Sequence, residues 1–203
     1  MRLFDGGKAP NPRRVRVFLA EKGIEVPRVP VDMGAMGHRS PEVAGRNPLR
    51  RLPVLELDDG TIITESVAIC RYFEETNPEP PLFGTGALGR ARVEEWQRRL
   101  ELNLMMPVAH AFRHVHPAMK EWEVPQIAEW GEANKPKALD FLALLDRELA
   151  GREFAAGDAY SIADITGLIA IDFMKPARIA VPEELAHVRR WHSALAARPS
   201  AAA

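Results

Sequence analysis

The stretch "RRLPVLELDDGTIITESVAICRYF", residues 50–73, decides the fold. Asp59-Gly60 between the apolar runs PVLEL and TIIT is a strong short-range signal for a β-hairpin. Pro53 stands just ahead of the first strand, where a missing N–H matters least. After the hairpin, SVAICRYFEETN reads as a helix that Pro78 stops. Upstream, NPRRVRVFLAEKG reads as another helix, with Asn11 as its cap, Pro12 at its first position and Gly23 at its end. Val15, Phe18 and Leu19 are spaced to give it one buried face. A short strand is expected over Arg2 to Phe4. VPRVPVDM is β-like, but Pro27 and Pro30 restrict it to a sheet edge. The resulting order, β-α-β-(α or loop)-β-β-α, is mixed α/β.

Beyond NPEPPLFGTGALG the character changes to helix alone, so the Pro/Gly-rich stretch at 77–89 is the expected domain boundary. Val93, Trp96, Leu100 and Leu104 share a helix face, and Pro107 is expected to kink that helix. KPKALDFLALLDRELAG continues with Ala138, Phe141, Leu142, Leu145 and Leu149, and Gly151 ends it. SIADITGLIAIDFM is almost wholly apolar and predicts a central buried helix, with Ser161 and Asp164 as a capping box. A last helix is expected to start at Pro182. Asp164 is thereby assigned to structure and not to catalysis.

The 203 residues suffice for one large or two small domains, and 46% hydrophobic with 27% charged residues is ordinary for a globular protein. A formal net charge of -1 gives no general attraction to nucleic acid or anionic membrane. The mixed pattern excludes coiled coils, collagen and disordered tails. Cys70 is the single cysteine, so no internal disulfide forms and a reducing compartment is expected. MRLFDGGKAP has no apolar signal core, and no run reaches the length of a membrane span; cytoplasmic location is the expectation.

Two helix N-termini in the α/β half offer unpaired N–H groups and partial positive charge, which suits anions. At the first, the donors would be Arg13, Arg14 and the Asn11 side chain, and a thiolate there would have its pKa lowered. At the second, Ser66 and the amides suit a carboxylate, and Glu65 suits an ammonium. A plain N-cap and a dipole-friendly acid explain the same residues. Were Pro53 cis, Leu52 would turn its backbone outward to pair with an extended peptide. Taken together these features suit a small peptide held by its backbone and its charged ends.

NPRRVRVFLAEKG, NPLRRLPVLELDDGTIITES and GDAYSIADI, in that order along nearly the whole chain, resemble the cytosolic glutathione transferases. The chain is similar in particular to a fungal and bacterial subgroup with RVRxxLAEK, VPVLELDDG and EWG segments. The resemblance implies a thioredoxin-like α/β domain over 1–80 that binds glutathione, an all-helical domain over 89–203 that lines the acceptor site, and a homodimer. It implies a cis Pro53, backbone pairing of Leu52 with the cysteinyl part of glutathione, and Glu65 and Ser66 at the γ-glutamyl end. His38 and Arg50, with Arg51 as a neighbour, are placed at the glycine carboxylate. Glutathione is then a co-substrate, with no separate cofactor.

The family's thiol activator is missing. Ala9 occupies the position where a Ser or Cys commonly sits, and no Tyr precedes Tyr72. Asn11 is the remaining first-helix candidate. VAHAFRHVHP supplies His110 and His114 on one helix face; in relatives this helix lines the second-substrate site, and His114 is placed to orient a water that accepts the thiol proton. Packing roles explain these histidines as well, and with His116 they lack an acidic or cysteine ligand for a metal. Met105, Met106, Phe112, Met119 and Trp122 suit either an adaptable apolar acceptor pocket or helix packing. Cys70 reads as a buried core thiol. The expected function is conjugation of glutathione to apolar electrophiles, as in detoxification. The alternatives are glutathione-dependent disulfide reduction or peroxidase activity, for which Asn11 is retained, and non-enzymatic ligand binding.

Overall fold

The computed structural model describes all 203 residues. They divide into two compact units, Met1–Pro81 together with Pro199–Ala203, and Leu82–Arg198.

The first unit contains β1 (Arg2–Asp5), α1 (Pro10–Glu21), β2 (Arg28–Pro30), α2 (Pro41–Arg46), β3 (Val54–Glu56), β4 (Ile62–Thr64) and α3 (Ser66–Thr76). The strands form one four-stranded sheet in the order β2-β1-β3-β4, with β1 and β2 parallel and the other pairs antiparallel. This is the thioredoxin-like arrangement. As Pro27 and Pro30 require, β2 lies at an edge. Leu3, Phe4, Val54 and Leu55 from the sheet and Val15, Phe18, Ile69 and Phe73 from the helices are almost wholly buried. Burial of each such side chain is worth about 1.5–3 kcal/mol. The 57–61 link of the hairpin places Gly60 at φ 85°, and Asp59 Oδ1 accepts the Thr61 N–H at 2.8 Å, which holds the Asp59 carboxyl below its usual pKa. Gly23 ends α1 at φ 64°, where the Ile24 N–H reaches back to the Leu19 carbonyl at 2.9 Å.

Two helix starts differ from expectation. Ala9, not Asn11, is the N-cap of α1, and Pro10 takes the first position. Pro10 and Pro12 both fall among the N–H groups that no helix can satisfy internally, so the earlier start costs no hydrogen bond. Glu65 is the N-cap of α3, and Ser66 is its first helical residue.

The second unit is all helical: α4 (Gly86–Leu100), α5 (Met106–Val115), α6 (Ala128–Leu149), α7 (Ile162–Met174) and α8 (Ala186–Ala196). A π-helical turn, Glu101–Met105, joins α4 to α5 just before Pro107. The widened turn takes up the clash and the lost hydrogen bond that Pro107 would impose on a regular helix. α6 begins at Ala128, ahead of the KPKALD segment. Ser161 and Asp164 form the expected capping box on the buried helix α7. α8 starts at Ala186 and not at Pro182, because Asp146 of α6 accepts the Val188 N–H at 2.8 Å. A tertiary acceptor thus fixes that terminus.

Candidate functional site

The sheet topology gathers one set of residues. Phe4 pairs with Val54, and Val54 with Thr64, in antiparallel ladders. The chain leaving β1, the chain entering β3 and the chain leaving β4 therefore meet at one end of the sheet. That end carries the Gly6–Ala9 loop with the start of α1, the Leu52–Pro53 pair, and Glu65 with the start of α3. β2, parallel to β1, finishes at the same end and leads into the short 3-10 turn Gly37–Arg39 that contains His38. Along the sequence Pro53 and Glu65 are 12 residues apart, and Ala9 and Glu65 are 56 apart.

At the start of α1, Pro10 and Pro12 have no N–H, and the Arg13 N–H bonds the Ala9 carbonyl at 3.2 Å. The Asn11 N–H and its exposed side-chain amide are the donors that remain. The expected contribution of Arg13 and Arg14 goes elsewhere: Arg13 Nη2 donates to the Ala201 carbonyl at 2.9 Å and Arg14 Nη1 to Ser66 Oγ at 3.0 Å. The preceding loop is pinned by buried Asp5, whose Oδ1 accepts from the Gly7 N–H at 2.9 Å and Arg16 Nη1 at 2.7 Å. Gly6 packs so tightly that an added Cβ would lie 3.2 Å from Leu52 Cδ1.

The Leu52–Pro53 bond is cis. The Leu52 side chain is buried in a cluster with Phe4, Val43 and Val54, while its backbone N–H and C=O have no intramolecular partner. Buried Asn47, which the sequence reading passed over, organises the approach to it. Asn47 Nδ2 donates to the Arg51 carbonyl at 2.8 Å, its Oδ1 accepts from Leu49 at 3.0 Å, and its carbonyl accepts from Arg50 at 2.8 Å. The Asn47-Pro48 dipeptide was the available turn signal. Arg50, at φ 52°, is exposed on this loop, and Arg51 is exposed beside it; His38 is buried at 7% exposure.

No side chain caps α3, so its first amides are available to an anion. Ser66 is buried. Glu65 is exposed with φ 66° and ψ 120°, a conformation that costs a non-glycine residue about 1–3 kcal/mol. Cys70, one turn on, is fully buried, and burial pushes its thiol pKa far up; it is no nucleophile.

In the helical unit, α5 brings His110 and His114 onto one face with ring centroids 6.0 Å apart. The His110 and Trp130 rings are T-shaped with centroids 5.8 Å apart, and burial lowers the His110 pKa. His114 is buried; its Nδ1 accepts the Ile127 N–H at 3.1 Å, and its Nε2 lies 3.7 Å from Glu123 Oε1. Gly131 permits the close approach of α6, since an added Cβ would lie 2.5 Å from Val115 Cγ2 and 3.0 Å from His114 Cβ. That gives the EWG segment a physical role the sequence alone did not disclose. Met106 is exposed at the start of α5, Met105 is buried, and Phe112 packs on Phe173 with centroids 5.0 Å apart.

Residues 9–76 match the N-terminal domain of glutathione S-transferases and residues 103–199 match their C-terminal domain. The chain belongs to the glutathione S-transferase family. Glutathione S-transferase 2 of Saccharomyces cerevisiae is 36% identical over 203 residues, covering 98% of this chain and 87% of the relative. The crystal structure of Gtt2 from Saccharomyces cerevisiae matches with a TM-score of 0.94 at 36% identity, over 98% of both chains. That of a glutathione S-transferase domain-containing protein from Marinobacter aquaeolei matches with a TM-score of 0.95 at 38% identity, over 98% of this chain and 99% of the other. No helix is long and apolar enough to cross a membrane.

Proposed function

We propose that this glutathione transferase holds glutathione at the end of its four-stranded sheet, ionises the thiol and transfers the sulfur to an apolar electrophile. The observation that carries the reading is the uncapped start of α3 beside an unpaired Glu65 carboxylate and the free backbone of Leu52. The γ-glutamyl carboxylate takes the α3 amides and the Ser66 hydroxyl, and its ammonium takes Glu65. Leu52 pairs with the cysteinyl backbone like an added strand, with Pro53 fixing its approach. His38 and Arg50 serve the glycine carboxylate.

This leaves the sulfur to the start of α1. Partial positive charge and the Asn11 donors stabilise a thiolate more than a thiol, so the proton passes to water. His114 orients such a water. The thiolate forms a C–S bond to the acceptor as the leaving group departs, or adds across an activated double bond. Met106 and His110 contribute to acceptor binding, and the helical unit as a whole is the acceptor domain. We assign the enzyme a cytoplasmic, homodimeric, detoxifying role, with glutathione as co-substrate and neither nucleic acid nor membrane as a partner.

Ala9 favours one second reading, glutathione-dependent disulfide or peroxide reduction, because the usual thiol activator is replaced while Asn11 remains. Titration of bound glutathione at 240 nm between pH 5 and 9 separates the two. A thiolate band appearing about two units below the ordinary thiol pKa supports conjugation. Binding without that shift supports the second reading, and no binding overturns both.

A further inference from the structure

We infer that Arg14 is a positioning residue of the glutathione site: its guanidinium fixes the Ser66 hydroxyl as a hydrogen-bond donor and so selects a carboxylate at the start of α3. The inference rests on the γ-glutamyl assignment above.

Arg14 lies on the inner face of α1 with 1% of its surface exposed, and Ser66 is 5% exposed. Its side chain crosses from α1 to α3, where Nη1 donates to Ser66 Oγ at 3.0 Å. A guanidinium carries five N–H donors and no acceptor, and it stays charged at any physiological pH. The polarity of this bond therefore admits one assignment. Ser66 Oγ accepts from Arg14, and its own hydrogen has no partner inside the protein.

An unconstrained serine at a helix start can accept from an amide or donate to a carbonyl, and so can meet a ligand of either sign. Arg14 biases that choice. With one lone pair engaged by a cation, the hydroxyl presents its hydrogen to the ligand, alongside the uncapped amides of α3. The amides are donors only, and the one lone pair left on Ser66 Oγ lies beside a cation, so an ammonium is disfavoured here and is left to Glu65, which orients the amino-acid head group.

Arg14 lies beside the start of α3, and its positive charge adds to that of the helix N-terminus in favouring an anion there. Its field is felt at Cys70, one turn further along α3, where it opposes the larger effect of burial. Because Arg14 is buried, it acts on the ligand through Ser66 and the local potential and not by contact.

The test is a double-mutant cycle on the full-length enzyme, comparing wild type, Ser66→Ala, Arg14→Met and the double variant. Affinity is measured calorimetrically for glutathione and for 4-aminobutyryl-cysteinylglycine, which keeps the ammonium and lacks only the α-carboxylate. Ser66→Ala is expected to weaken glutathione about tenfold, the scale of a lost hydrogen bond to a charged group. Arg14→Met should weaken it by a similar factor and add little in the Ser66→Ala background. Neither change should move the affinity of the analogue. If the loss from Arg14→Met persists undiminished beside Ser66→Ala, or falls equally on both peptides, the role is structural and the inference fails. Unchanged affinity in Ser66→Ala alone would instead remove the γ-glutamyl assignment. Should Arg14→Met not fold, Arg14→Lys keeps a buried cation without the guanidinium fork and completes the same cycle.

Discussion

The Ile127 N–H donates to His114 Nδ1 at 3.1 Å, tying the loop after α5 to the last turn of that helix. A neutral ring that accepts at Nδ1 carries its proton on Nε2, on the side facing Glu123 Oε1 at 3.7 Å. In the proposed mechanism His114 therefore acts as a donor to a water, and not itself as the base. His114→Ala is expected to raise the pKa of bound glutathione and to speed amide exchange at Ile127. Faster exchange with an unmoved thiolate titration would reduce His114 to a clamp on the loop.

Glu65 pairs strain with function. At φ 66° a glycine sits without penalty, so Glu65→Gly should stabilise the fold by about 1 kcal/mol, or a few degrees in Tm. The same change removes the carboxylate assigned to the ligand ammonium, and glutathione affinity should fall at least about tenfold. A rise in Tm without loss of affinity would show that the backbone conformation, and not the charge, is what the site requires.

Asp164 accepts from the Ala155 N–H at 2.8 Å, the Ser161 N–H at 2.9 Å and Trp191 Nε1 at 2.9 Å, yet burial pushes its pKa from the ordinary 3.8 up to about 6. The folded state therefore binds the proton more tightly than the unfolded chain. The stability this confers is full below about pH 4 and is lost as pH rises through about 6, a difference on the order of 3 kcal/mol. Urea unfolding of wild type and Asp164→Asn at pH 4, 5 and 7 checks the sign. The difference between the two proteins should shift against wild type as pH rises, and a flat difference would contradict it.

Gly131 carries the packing of α6 on α5. Gly131→Ala forces a methyl to within 2.5 Å of Val115 Cγ2 and 3.0 Å of His114 Cβ, so the Val115 side chain or the helices must shift. A loss of about 1–3 kcal/mol is expected, in spite of the better helix propensity of alanine. Because His114 Cβ is the next neighbour, turnover should fall with stability, measured by thermal melts and by conjugation rate on the same preparations. Higher stability would mean that the helix gain outweighs the overlap.

Much of the architecture is legible from short-range features. Asp59-Gly60 sets the hairpin, Pro27 and Pro30 keep β2 at the edge, Gly23 ends α1, and Ser161 with Asp164 opens α7. In each case the residues that decide the conformation lie within a turn or two of one another, so pattern and local geometry suffice. The spacing of Val93, Trp96, Leu100 and Leu104 foretold a shared buried face for the same reason.

What sequence left open was decided by partners that only the tertiary structure supplies. Asp146 sets the start of α8 from another helix, Ile127 fixes the histidine tautomer, and Gly131 matters only because Val115 and His114 face it. Arg14 and Ser66 are 52 residues apart and meet only when α1 and α3 pack together. Hydrophobic period, caps and turn residues act over a few bonds, so the kind and order of the elements were readable from sequence, though not the starts of α1, α3 and α8. The tertiary structure alone decided which side chains share a site and which way each hydrogen bond runs, because both depend on distances that the chain acquires only when its core is buried.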